Sequence, residues 1–361
     1  MEIIDSNVFT VVNVLRIFIV AAVSFFAALI ITPFWTNVLR QYNFSKKRVV
    51  REDVAPIFSK LHQKKQGTPL GGGVIIWGTV LIVISGFWLL AQIFPASPAA
   101  KLNFLSRSQT LLPLGALIVS AVLGLIDDIW SVKGKGIKGR GLRMRDRFIF
   151  YVLLGVGGAW WFYYKLDWNF INLPFLGDLT LGLWYLPFFV FMIIASTFSA
   201  NETDGLDGLL AGSALTIFSA LGVIAFVQER IDLVVFIASL IGALIAFLWH
   251  NIYPAKFFMG DTGAMALGTV IGVVAMFLNV PLLLIVIGII FVIESGSVLI
   301  QLWSKKFRGR KIFLSTPIHH HFEALGWPET QVTMRFWMIS AIGAIIGLII
   351  FLVDSKIPPL F

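Results

Sequence analysis

Cysteine is absent from the 361-residue chain, which excludes a disulfide framework and any thiolate metal site. Charge is scarce as well. Asp, Glu, Lys and Arg make up 13% of the residues, whereas an ordinary soluble domain carries about 25%. Low-complexity tracts are missing, and no internal repeat of the kind found in repeat-built transporters stands out. What fills the chain is apolar: 58% of its residues are hydrophobic and its mean hydropathy is +0.89. This composition describes an all-α polytopic membrane protein, read as one integral-membrane domain over 1–361. The first apolar run is long enough to span, and no small-residue cleavage site follows it, so it reads as a retained helix.

Runs able to cross a hydrocarbon core of about 30 Å fall at 12–37, 73–94, 110–130, 148–165, 182–200, 207–227, 232–249, 263–280, 282–303 and 334–353. That predicts about ten transmembrane helices. Only "NVP" (279–281) separates the eighth from the ninth, and Pro281 makes a tight reversal the simplest reading. Alternate loops put 21 of the 28 Lys and Arg residues on one side. By the positive-inside bias that side is cytoplasmic, and both termini are expected on the periplasmic side. The net charge of +9 is then mostly topology, with attraction to anionic lipid or substrate. Nucleic acid is a poor explanation for it.

Everything unusual gathers at the basic face. "LHQKKQGTPLGGG", "GLIDDIW", "NETDGLDGLL", "HNIYPAKFFMGDTGAMALG" and "STPIHHHFEALGWPE" all fall on its loops or on the adjoining helix ends. Five aspartates lie there: Asp127, Asp128, Asp204, Asp207 and Asp261. A carboxylate near hydrocarbon is costly unless something offsets it. Adjacent helical positions diverge by about 100°, so one of Asp127 and Asp128 can face a site while the other braces it. Asp204 and Asp207, three apart, would be neighbours on one helical face. Capping of the sixth span by Thr203 or Asp204 is the plain structural alternative, but it accounts for one residue and not five. Clustered hard oxygens suit Mg²⁺, which takes one or two carboxylates and fills its shell with water and phosphate oxygens.

Lys64 and Lys65 precede the glycine run 71–73, and Lys65 suits a phosphate contact. Lys46, Lys47 and Arg48 read as a solvated basic loop. Three consecutive histidines, His319, His320 and His321, cannot converge on one point from a helix, so a closed three-His metal site is not expected. Histidine can instead donate to phosphate or carry a proton, and backbone satisfaction is its structural alternative. Phe257 and Phe258 precede Gly260–Asp261, where a ring can stack on a base. Glu294 is an intramembrane acid with no partner that the sequence identifies.

Together these stretches resemble the phospho-N-acetylmuramoyl-pentapeptide-transferases, within the polyprenyl-phosphate N-acetylhexosamine 1-phosphate transferase superfamily. "DGLDGL", "FMGD" and "PIHHHFE" carry most of that likeness, which runs from about residue 40 to about residue 340. The resemblance implies a ten-helix fold, a homodimer, and an active-site cleft at the cytoplasmic face of the bacterial inner membrane. It implies catalytic roles for Asp127, Asp128, Asp261 and His319 to His321. It also implies Mg²⁺ on Asp261 with Asp204, Phe258 stacked on uracil, and Lys65, Asn201, Asp204, Asp207 and Asn251 lining the nucleotide and metal region. Three positions depart from the family pattern: Leu70 replaces a threonine, Glu202 stands where leucine is usual, and Arg140 replaces a lysine.

The implied reaction joins undecaprenyl phosphate to UDP-N-acetylmuramoyl-pentapeptide with loss of UMP, either directly or through a phospho-aspartate. Relatives that use UDP-N-acetylglucosamine carry a different His/Arg-rich segment. A secondary transporter is the alternative of another class, but transporters bind near the bilayer midplane, whereas these motifs lie at one face.

Overall fold

The computed structural model describes residues 2–45, 65, 67–134 and 141–354. Lys46, Lys47, Arg48, Lys64 and Arg140 lie outside the described residues. Twelve α-helices are described. They are α1 (Glu2–Gln41), α2 (Val74–Ile93), α3 (Leu111–Val132), α4 (Met144–Lys165), α5 (Tyr185–Thr203) and α6 (Leu209–Val227), then α7 (Ile231–Asn251), α8 (Asp261–Phe277), α9 (Leu284–Ile287), α10 (Ile289–Arg308), α11 (Ile318–Ala324) and α12 (Glu329–Asp354). In hydrocarbon every backbone polar group must be satisfied within the chain, and helices do this segment by segment.

Among the described residues, seven helical segments are long and apolar enough to cross a membrane, in α1, α2, α3, α5, α6, α7 and α12. Three expected spans differ in kind. The helix over the fourth begins with the charged Arg145, Asp146 and Arg147. The eighth is the 17-residue α8. The ninth is divided at Gly288 into the short α9 and the longer α10.

Helix α8 is the pillar of the bundle. Every residue from Thr262 to Phe277 is buried, as expected of a helix that is apolar all round. Its 17 residues make it about 26 Å long. It packs chiefly against α3 and α5. The contacts at its N-terminal end are backbone to backbone. A Cβ on Gly73 would lie 2.4 Å from Gly263 Cα, and one on Gly124 would lie 2.3 Å from Asp261 O. Small residues of this kind let membrane helices approach closely.

Residues 166–181 lie between the spans expected at 148–165 and 182–200. There the chain forms an antiparallel hairpin, β1 (Phe170–Leu173) with β2 (Gly177–Thr180). Asn279 explains its position. This residue takes a left-handed conformation (φ 55°) after α8, and its side chain accepts from Asn172 N–H at 3.0 Å. The break at "NVP" therefore depends on Asn279 as well as Pro281.

Gly124→Ala is expected to overpack the α3–α8 contact and lower stability by about 1–3 kcal/mol. Gly115→Ala, on the same helix with no heavy atom within 4 Å of the added Cβ, is expected to stay within about 0.5 kcal/mol of the parent. Thermal unfolding in detergent compares the two; equal midpoints would contradict the close approach.

Candidate active site

The N-terminus of α8 organises the first cluster. Gly260 sits at φ +78°, and a Cβ there would meet the Asp128 carboxylate. Asp128 is fully buried at the end of α3. Its Oδ1 accepts the Asp261 N–H at 3.1 Å and its Oδ2 accepts the Thr262 N–H at 3.0 Å. A carboxylate at this position satisfies orphan helix donors and complements the helix dipole. Thr262 Oγ1 donates to Ala121 O at 2.9 Å, which ties α8 to α3 once more.

Asp127 points elsewhere. Its Oδ1 accepts the Leu142 N–H at 2.6 Å, and its Oδ2 meets Arg147 Nη2 at 2.5 Å. The same Nη2 contacts Asp261 Oδ2 at 2.9 Å. Two carboxylates from different helices therefore share one cationic nitrogen. One turn along α4 from Arg147, the Tyr151 hydroxyl accepts a hydrogen bond from Asn201 Nδ2. Asn201 is thereby tied to the helix that carries Arg147.

A second cluster centres on Lys65. Its ammonium pairs with Asp207 Oδ1 at 2.7 Å and with Glu329. It also stands 5.8 Å from the centre of the Phe258 ring and 6.0 Å from that of Tyr253, within cation–π range. Asp207 Oδ2 accepts the Ala255 N–H at 3.0 Å, and Glu329 Oε1 accepts the Asp207 N–H at 2.7 Å. Asn251 accepts from Gly208 N–H at 3.0 Å and donates to Phe257 O at 2.8 Å. The two clusters are neighbours, because Phe258 lies only three residues before Asp261, the first residue of α8.

The 204–208 turn corrects one expectation. Asp204 and Asp207 are not helical neighbours: α5 ends at Thr203 and α6 begins at Leu209. Gly208, at φ +76°, opens the chain there. Asp204 is the half-buried C-cap of α5. Thr203 Oγ1 donates back to Ser199 O at 2.7 Å, so it does not cap α6.

The three histidines diverge, as consecutive helical positions must. His319 Nδ1 lies 2.9 Å from Glu294 Oε2, His320 Nδ1 lies 2.7 Å from Glu323 Oε2, and His321 Nδ1 accepts the Leu314 N–H at 3.2 Å. Glu294 thus acquires the partner that the sequence did not reveal. Among the described residues, no group of three or more His, Cys, Asp or Glu is arranged to enclose a metal ion. The converging oxygens of Asp127 and Asp261 are bridged by the one guanidinium of Arg147.

Sequence reasoning missed Arg147, Tyr151 and Glu329. Arg147 was counted only as part of a basic loop. Glu329 carried no signal beyond its position on the same side of the membrane.

The model of the family described as Glycosyl transferase family 4 matches residues 110–279, from the start of α3 to the end of α8. Curated relatives extend the likeness over nearly the whole chain. The phospho-N-acetylmuramoyl-pentapeptide-transferase of Chloroflexus aurantiacus is 38% identical over 346 residues, covering 92% of this chain and 89% of the relative. That of Geobacillus thermodenitrificans is 37% identical over 346 residues, covering 92% and 97%. That of Clostridium perfringens is 35% identical over 334 residues, covering 92% and 98%.

Removing the Asp128 carboxyl strands two buried donors at the head of α8. Asp128→Ala is expected to lower stability by about 1–3 kcal/mol, and Asp128→Asn, which keeps one acceptor, by less. Urea midpoints in detergent measure this order; an unchanged midpoint for Asp128→Ala would contradict the bracing role.

Proposed function

The chain belongs to the phospho-N-acetylmuramoyl-pentapeptide-transferase family, and from that premise we propose the following reaction at the clustered carboxylates. A phosphate oxygen of undecaprenyl phosphate attacks the sugar-side phosphorus of UDP-N-acetylmuramoyl-pentapeptide. The bond from that phosphorus to the bridging oxygen breaks, and UMP leaves with the electron pair. The product is undecaprenyl-diphospho-N-acetylmuramoyl-pentapeptide, lipid I, the first membrane intermediate of peptidoglycan synthesis.

The observation that carries this reading is the shared cation position between Asp127 and Asp261, set beside the Lys65–Asp207–Phe258 cluster. Phosphoryl transfer leaves little covalent work to a protein and depends on positioning and charge neutralisation. A phosphate monoester has a second pKa of about 6, so the nucleophile is largely ionised at neutral pH. Asp127 therefore contributes more by placing charge than by removing a proton. Lys65 meets donor phosphate, Phe258 offers its face to uracil, and Asn201, Asp204, Asp207 and Asn251 shape the surrounding pocket.

Asp261 and Asp204 are the proposed Mg²⁺ ligands, and Asp127 stands beside Asp261 through the guanidinium that the two share. When bound, Mg²⁺ supplies positive charge to the diphosphate. Arg147 offsets the mutual repulsion of Asp127 and Asp261, and its contact with Asp261 would have to loosen where Mg²⁺ binds that carboxylate. His320 and His321 complete the site from α11. The basic face is cytoplasmic in the bacterial inner membrane, and the working form is a homodimer.

The test combines purified protein, Mg²⁺, undecaprenyl phosphate and the UDP-linked pentapeptide, with UMP release as the readout. Release is expected to need both lipid and Mg²⁺, and to fall at least about a hundredfold in Asp261→Ala. Release from UDP-N-acetylglucosamine in place of the pentapeptide donor would move the substrate assignment. Release from neither donor by folded protein would refute the reaction.

A further inference from the structure

Glu294 lies within α10, fully buried, and the reaction above makes no use of it. An acid at membrane depth is retained at a cost and calls for a role. Its Oε2 is 2.9 Å from His319 Nδ1, and His319 is fully buried as well. The first backbone N–H groups of α11, those of Ile318 and His319, face the same carboxyl group. On its other side the His319 ring rests against Gly205, where an added Cβ would come within 2.1 Å of Nε2. The His320 ring packs edge-on at 4.0 Å between centres and is itself tied to Glu323. One imidazole is therefore clamped between an acid on α10 and the turn that carries Asp204 and Asp207.

We propose that Glu294 is a positioning residue that sets the 204–208 turn through His319. A hydrogen bond at one imidazole nitrogen fixes the plane of the ring and the state of the other nitrogen. With Nδ1 held by Glu294, the opposite edge of the ring defines how close the backbone at Gly205 can come. That distance sets where Asp204 and Asp207 stand relative to Lys65. Glycine at position 205 is required because any side chain there would occupy the space of the ring. Glu294 thus acts on the donor site without touching the donor. The inference rests on the transferase reading, since the turn it sets belongs to that reaction's donor site.

The experiment measures kcat and KM for the UDP-linked donor in wild type, Glu294→Gln, Glu294→Leu, His319→Ala and the Glu294→Leu/His319→Ala double variant. Outer groups that orient a histidine at metal sites are typically worth about 10- to 100-fold in activity. Glu294→Leu is expected to lose kcat/KM in that range, with much of the loss in KM. Glu294→Gln keeps an acceptor for the ring and is expected to retain most of the activity. In the His319→Ala background, Glu294→Leu is expected to cost nothing further, because coupled residues are not additive. Equal losses in both backgrounds, or full activity in Glu294→Leu, would overturn the proposal. If Glu294→Leu fails to fold, Gly205→Ala displaces the same ring from the other side, and its loss must disappear when His319 is alanine. A folded wild-type protein that releases no UMP would refute the transferase reading and this inference with it, whereas additive losses in an active enzyme refute only the role of Glu294.

Discussion

Two backbone N–H groups at the head of a buried helix need an acceptor, and Asp128 supplies both of its oxygens to them. Helix α8 is buried from Thr262 onward, so its first N–H groups depend on a protein acceptor more than on water. The cap therefore decides where α8 begins and in which direction Asp261 projects. Gly260 and Gly124 keep the space around this junction free of side chains. Asp127, one residue earlier, is turned away by the helical step and meets Asp261 across the guanidinium of Arg147.

The same device recurs across the face. Asp127 accepts from Leu142, Asp207 from Ala255, Glu329 from Asp207, and Asn251 from Gly208. Each acidic or amide side chain holds a loop backbone as well as facing the site. Charges withdrawn from water are tolerated only when paired and hydrogen-bonded, and here the pairing also builds the loops. The carboxylates keep their place beside the hydrocarbon through cationic partners, Arg147 and Lys65, and through these backbone donors. A polyanionic substrate would enter a site already organised around charge.

The architecture was legible where the physics is local. Apolar length marked most of the helices, and Lys and Arg asymmetry gathered the five motifs at one face. The divergence of adjacent helical residues allowed Asp127 and Asp128 different tasks, and the geometry gives one to Arg147 and the other to the backbone. Tertiary partners were not legible. Arg147 reaches Asp127 from the start of a helix that follows a basic loop, and Glu329 reaches Lys65 across 264 positions. The 204–207 segment looked helical by spacing, but Gly208, at φ +76°, lets it turn. The hairpin over 170–180 was missed because its four-residue strands are too short to show a period, and its anchor, Asn279, lies far along the chain.

Asp127 and Asp261 converge on one cation, the Arg147 guanidinium, at the head of α8, and the proposed Mg²⁺ would bind at the Asp261 side of that junction. Mn²⁺ binding, followed by electron paramagnetic resonance with the UDP-linked donor present, is the decisive measurement. One Mn²⁺ is expected per wild-type chain, displaced by Mg²⁺, with affinity lost in Asp261→Asn and weakened in Asp127→Asn. Wild-type affinity in both variants, with the fold intact, would contradict it.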